Sequence, residues 1–97
     1  MKLNKGCAAE YKRRHDEIWP EVSSLLSGIG ICQYSIFLDE PSGLLFGYLQ
    51  LENPALLDKL REDPLMQKWW SYMADIMDTN PDHSPVSSSL EEVFYLP

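Results

Sequence analysis

Ile31-Cys32-Gln33-Tyr34-Ser35-Ile36-Phe37-Leu38 and Leu44-Leu45-Phe46-Gly47-Tyr48-Leu49-Gln50-Leu51, joined by Asp39-Glu40-Pro41-Ser42-Gly43, decide the fold. Both runs are dense in aromatic and aliphatic residues, and the segment between them is made of turn formers. The pattern predicts an antiparallel hairpin. Alternation along the first run puts Cys32, Tyr34, Ile36 and Leu38 on one face.

Upstream, residues 8–27 read as helix. Ala8, Tyr11, His15, Ile18, Val22 and Leu25 recur at three- and four-residue steps and share a face. Pro20 removes a backbone donor and clashes with the preceding turn, so a kink or break is expected near Trp19, with Pro20 opening a second segment. Gly28 and Gly30 stop it. Downstream, Asn53-Pro54 begins a short helix carrying Leu56, Leu57 and Leu60. Asp63-Pro64 has the form of an N-cap followed by proline at the first helical position. That helix is predicted to run to about Met77, with Met66, Trp69, Trp70, Met73 and Met77 as its stripe. Residues 78–89 form a polar, proline-rich loop, and Glu92–Leu96 read as a final strand.

The order helix, strand, strand, helix, strand makes this an α+β chain over 1–97, with one domain and one core. A ferredoxin-like β-α-β-β-α-β unit needs one more strand ahead of the first helix, and residues 1–4 provide only a stub of it. That strand ordinarily lies inside the sheet, so a truncated first strand leaves its neighbours half-paired. A domain of this size gains from pairing with a second copy, and a homo-oligomer is expected.

The 97 residues carry a net charge of −7, with 44% hydrophobic residues. Nucleic-acid binding usually requires a basic stripe. The single basic cluster, Lys12-Arg13-Arg14, is followed by Asp16 and Glu17 and reads as a solvated helix face. Cys7 and Cys32 make neither a disulfide framework nor a metal-spaced set, and two reduced thiols in a cytoplasmic protein are expected. The start of the chain has no apolar signal core, and no run approaches membrane-spanning length. Glycine-rich phosphate loops, metal-ligand spacings and nucleophile elbows are missing, so no metal and no cofactor is expected.

Three features remain. Tyr11 and His15 lie one turn apart on one helix face, where a histidine can move protons near neutral pH; equally, the pair can be a satisfied core histidine beside a core tyrosine. Trp69 and Trp70 point about 100° apart on their helix, so one can pack in the core while the other walls a pocket against the C–H face of a sugar, or both can be core. In the 78–89 loop, Asn80, Asp82 and Ser84 suit hydroxyl recognition but are also ordinary turn formers. His83 has no patterned partner and reads as a surface residue.

Taken together, Glu10-Tyr11-Lys12-Arg13-Arg14-His15-Asp16-Glu17-Ile18-Trp19-Pro20-Glu21, Trp69-Trp70-Ser71-Tyr72-Met73, and Asn80-Pro81-Asp82-His83-Ser84-Pro85-Val86-Ser87 running on to Glu92–Pro97 resemble the L-rhamnose mutarotase family in order and spacing. The likeness covers nearly the whole chain. It implies a ferredoxin-like dimeric α+β barrel, with helices on one face of an antiparallel sheet, acting on a free monosaccharide, L-rhamnose, in the cytoplasm without a cofactor. It places the proton donor on His15 and the sugar-binding residues on Tyr11, Tyr34, Trp69 and Trp70. From what ring opening requires, a tyrosine or Asp82 is expected to orient hydroxyls. The departure is at the N-terminus, where members of that family carry several more residues that complete the first strand; a late-assigned start would account for it. Two other functions fit the same fold class, a non-catalytic sugar-binding module and a haem- or quinol-handling enzyme.

Overall fold

The computed structural model describes residues 1–97. Its elements are α1 (Ala8–Asp16), α2 (Pro20–Gly28), β1 (Cys32–Asp39), β2 (Leu44–Gln50), α3 (Leu56–Glu62) and α4 (Pro64–Met73). The proline break falls where local chemistry puts it. Trp19 takes φ −58° and ψ 129°, the extended conformation that a residue before proline prefers, and Pro20 opens α2. Asp63 caps α4 by accepting the Leu65 N–H at 2.9 Å, which satisfies one of the orphan donors at a helix start.

β1 and β2 pair antiparallel, with Phe37 opposite Phe46 and Ile36 opposite Gly47. The register shifts between Cys32 and Ser35, at a bulge where Gln33 takes φ +52°. A bulge adds one residue and resets the alternation. Tyr34, Ile36 and Leu38 keep the common face expected of them, but Cys32 does not join it. Cys32 is exposed and the buried residue at this end is Ile31.

The sheet continues past β2 by backbone contacts with the chain start. Leu3 N–H donates to Gly43 O and Leu45 N–H to Met1 O, each at 2.8 Å. Beyond that, Asn4 N–H donates to Ile76 O at 2.8 Å and Asp78 N–H to Lys2 O at 2.9 Å, with Leu3 opposite Met77. Residues 1–3 thus sit between β2 and Met77–Thr79, inside the sheet, where a β-α-β-β-α-β unit holds its first strand.

This arrangement corrects two expectations. Helix α4 stops at Met73 rather than near Met77. Met77 has the right spacing for the helix stripe, but the chain straightens to satisfy the backbone of residues 2–4. Secondly, Glu92–Leu96 form no strand, because the place beside residues 1–3 is already taken by Met77–Thr79. Leu90 and Val93–Leu96 stand 71–88% exposed.

The helices cover one face of the sheet. The core is a single cluster in which Leu3, Ile31 and Leu45 from the sheet side meet Tyr11, Val22, Leu60, Met66, Trp69 and Met73 from the helices. Gly43 is needed at the tip of the hairpin. Its φ is +74°, and a Cβ there would stand 2.9 Å from Leu3 O. Gly43→Ala is therefore expected to cost about 1–3 kcal/mol from backbone strain alone, read as a lowered Tm and increased exchange of the Leu3 amide.

Candidate active site

Between the helices and the inner face of the sheet lies a cavity of about 1070 Å³. All five residues singled out above line it: Tyr11 and His15 from α1, Tyr34 from β1, and Trp69 and Trp70 from α4. Each element contributes for a local reason. The i, i+4 spacing brings Tyr11 and His15 together on α1, the bulge at Gln33 sets the face of Tyr34, and the Asp63 cap fixes where α4 begins and hence where its indoles fall.

The Tyr11 and His15 rings stack, 4.3 Å between centroids at 26°. His15 Nδ1 lies 3.1 Å from the Tyr11 carbonyl oxygen. A carbonyl only accepts, so Nδ1 carries the hydrogen and the neutral ring presents Nε2 as its acceptor. Burial lowers the His15 pKa below its ordinary 6.5, against a smaller opposing effect of the Tyr11 carbonyl bond. The imidazole is therefore neutral at pH 7, and its conjugate acid gives up a proton more readily than an ordinary imidazolium. Since an unfolded chain would protonate this residue first, its contribution to stability is full above pH 6.5 and declines as pH falls below it.

Burial raises the pKa of both Tyr11 and Tyr34, so both remain phenols, able to donate a hydrogen bond to a ligand. Tyr34 is 43% exposed, and it lines the cavity, where surrounding protein displaces bulk water. The two tryptophans divide the work as their angular separation requires. Trp69 is buried at 4% and offers His15 an edge-to-face contact at 5.6 Å. Trp70 is half-buried and walls the cavity.

The chain also brings in residues the motifs did not mark. Trp19 meets Trp69 edge-on at 5.1 Å and stacks on Tyr72 at 5.4 Å. The Arg14 guanidinium lies 4.5 Å from the Tyr72 ring centroid and pairs with Asp75 at 2.8 Å and Glu10 at 2.9 Å. Arg14 is thus no solvated residue, its side chain being 11% exposed; Lys12 and Arg13 do lie on the solvated face. The aromatic residue just before Pro20 was the available signal for Trp19. Arg14 gave none, because its partner Asp75 is distant in sequence.

In the 78–89 loop, Ser84, Pro85 and Ser87 line the cavity, and Ser84 is the one buried polar residue. Asp82 does not line the cavity. Its carboxylate accepts from Ser84 N–H at 3.0 Å and from the Ser84 hydroxyl, which holds its pKa below the ordinary carboxylate value. Asp82 is thus engaged within its own loop and stands outside the cavity that Tyr11 and Tyr34 line. Asn80 Nδ2 donates to Ser84 Oγ at 3.0 Å and closes the turn. His83, expected to be partnerless, sits at φ +70° with Nδ1 3.0 Å from Ser71 Oγ, which ties the loop to α4.

No group of three or more His, Cys, Asp or Glu side chains is placed to hold a metal ion. No helix is long and apolar enough to cross a membrane. Cys7 and Cys32 are unpaired.

The family model for L-rhamnose mutarotase matches residues 1–96. An L-rhamnose mutarotase of Flavobacterium johnsoniae is 56% identical over 96 residues, covering 99% of this chain and 90% of the relative. One of Listeria monocytogenes is 52% identical over 96 residues, covering 99% and 92%. Among solved structures, the crystal structure of an L-rhamnose mutarotase from Formosa agariphila superposes with a TM-score of 0.92 at 48% identity, covering all of this chain and 93% of that one. A cavity with a histidine, two phenols and two indoles, on a chain with these relatives, leads to one conclusion: the chain belongs to the L-rhamnose mutarotase family.

Proposed function

We propose that this protein, acting as one domain over residues 1–97, interconverts the α and β anomers of free L-rhamnose, with His15 as its proton carrier. The observation that carries the reading is the neutral His15, held by Tyr11 in one tautomer inside a cavity walled by indoles and phenols. Mutarotation needs no more chemistry than such a residue provides. Nε2 accepts the proton of the anomeric hydroxyl, the C1–O1 bond becomes a carbonyl, and the bond from C1 to the ring oxygen breaks. The imidazolium then delivers the same proton to the ring oxygen, so the proton balance closes on a single residue. Rotation about C1–C2 and the reverse steps on the other face of the carbonyl give the other anomer. Tyr11 and Tyr34, as phenols, donate to the sugar oxygens, and Trp70 supports the apolar face of the ring.

The same reading makes the protein a homodimer. The sheet face away from the helices exposes Phe37 (62%), Tyr48 (54%), Leu44 (43%) and Phe46 (41%), a contiguous apolar patch of the kind that marks an interface. The unpaired thiols suit a reducing compartment such as the cytoplasm.

The test is polarimetric. Freshly dissolved crystalline α-L-rhamnose should reach its equilibrium rotation faster with enzyme than in buffer, in proportion to enzyme concentration. Quenching of tryptophan fluorescence by rhamnose without that acceleration would instead identify a binding module. The pH dependence follows from the depressed pKa of His15. After subtraction of the solvent reaction, kcat/KM should be level through neutral pH and fall as pH drops through the His15 pKa, below 6.5. A rate that climbs towards acid would mean that the imidazolium, and not the neutral ring, begins the reaction.

A further inference from the structure

His15 sits in the last turn of α1, a helix of nine residues that ends at Asp16. Helices this short are marginal alone and loosest at their ends. Yet a displacement of about 1 Å at a reacting group can cost on the order of 10²-fold in rate. Tyr11 is the one buried residue of α1 and holds the middle of the helix. Arg14 holds its last turn. The Arg14 side chain, 11% exposed, reaches across to the end of α4. Its Nη1 donates to Tyr72 O at 2.7 Å and to Asp75 Oδ1 at 2.8 Å, and Nη2 donates to Asp75 Oδ2 at 3.2 Å. Nε donates to Glu10 Oε1 at 2.9 Å, on α1 itself. Tyr72 O belongs to the last turn of α4, whose carbonyls lack helical partners and attract a cation. One guanidinium thus joins two of the helices that carry the candidate site.

From there the contacts run back to the imidazole. The Arg14 guanidinium stands 4.5 Å from the Tyr72 ring centroid. Tyr72 stacks on Trp19 and tilts against Trp69, and Trp69 meets His15 edge-on at 5.6 Å. Arg14, Trp19, Tyr72 and Asp75 all stay outside the cavity lining. Adjacent helical side chains point about 100° apart, so Arg14 grips α4 while His15 faces the cavity. We propose that Arg14 is a positioning residue for the reaction: its clamp between α1 and the end of α4 fixes where Trp69 meets the imidazole, and so where Nε2 stands relative to the sugar. This role rests on the reading of His15 as proton carrier. A guanidinium suits the place, because its planar fork serves one carboxylate with two bonds and has donors left for a carbonyl and a second carboxylate. An ammonium is a point charge on three donors. The clamp also stays closed where His15 titrates. The bonds from Arg14 hold the Asp75 carboxyl below its ordinary value, and those from Arg13 and Arg14 bring Glu10 down to about 2.

Arg14→Lys keeps the charge and loses the fork. It should retain the circular dichroism of the wild type and lose roughly tenfold or more in kcat for rhamnose anomer exchange. KM should stay within about twofold, since Tyr34 and Trp70 are untouched. In NMR spectra of the same variant the His15 ring protons, which feel the ring current of Trp69, should shift. Asp75→Asn, at a side chain 66% exposed, should lower kcat several-fold. The double variant should fall no lower than Arg14→Lys alone, because both changes break one clamp. A wild-type kcat in Arg14→Lys, a raised KM at unchanged kcat, or losses that multiply in the double variant would overturn the role. If Arg14→Lys does not fold, Asp75→Asn decides, and a wild-type kcat with unmoved His15 signals overturns it. The ring signals also separate this role from the reading beneath it. If the wild-type protein gives no acceleration, or His15→Ala keeps all of it, the catalytic reading fails. His15 signals that still shift in Arg14→Lys then keep the clamp, and unmoved ones overturn it.

Discussion

Replacing His15 by alanine is expected to abolish measurable acceleration of rhamnose mutarotation while leaving the fold intact. General acid–base catalysis by a placed side chain is worth around 10²–10⁴-fold, and on the mechanism above both proton transfers pass through this one residue. The loss should therefore lie at the upper end of that range and appear in kcat. Sugar binding should survive, because Tyr34, Trp69 and Trp70 are untouched, and rhamnose should still quench tryptophan fluorescence. Structural damage should be slight: His15 is half-buried, and its single hydrogen bond is to a carbonyl one helical turn away. Tyr11→Phe makes the informative contrast. It keeps the stacked ring and the carbonyl that fixes the His15 tautomer, so it should lower the rate far less than His15→Ala.

Trp69→Ala is the second large effect, and it should differ in kind. Trp69 is 4% exposed and is touched by His15, Trp19 and Tyr72. Removing a buried indole costs about 3–5 kcal/mol through lost burial and the cavity left behind. Whole domains are stable by only about 5–15 kcal/mol, so much of this protein's margin would go. At about 4–8 °C per kcal/mol for a domain of this size, Tm should fall by at least about 12 °C. Trp70→Ala, on a half-buried residue, should cost far less stability and should weaken rhamnose binding instead. If both variants lost stability equally and bound sugar normally, Trp70 would be an ordinary core residue and the indole wall would have no role.

Local signals in the sequence were sufficient for some elements and silent on others, for identifiable reasons. The hairpin, the break at Pro20 and the cap at Asp63 depend on neighbouring residues only, and each formed as read. Met77 did not, because a helix stripe and a strand partner for Leu3 make the same demand on it, that it be buried. Val93–Leu96 have strand-like composition, but composition does not say which edge is open, and the edge in their own chain belongs to Met77–Thr79. The shift of Cys32 off the shared face depends on one left-handed residue, Gln33, that no pattern announces. At the site, the five cavity residues were legible through a family likeness rather than periodicity. Arg14's pairing with Asp75 and the His83–Ser71 tie join residues distant in the chain, and a single sequence carries no mark of them.

The most direct test of the central claim is saturation-transfer NMR on L-rhamnose at equilibrium. With one anomeric proton irradiated, transfer to the other anomer measures exchange without any net reaction. Wild-type enzyme should raise the exchange rate in proportion to its concentration, and the same concentration of folded His15→Ala should return the rate of buffer alone. Unchanged exchange with folded wild-type protein, or undiminished acceleration by His15→Ala, would contradict the account.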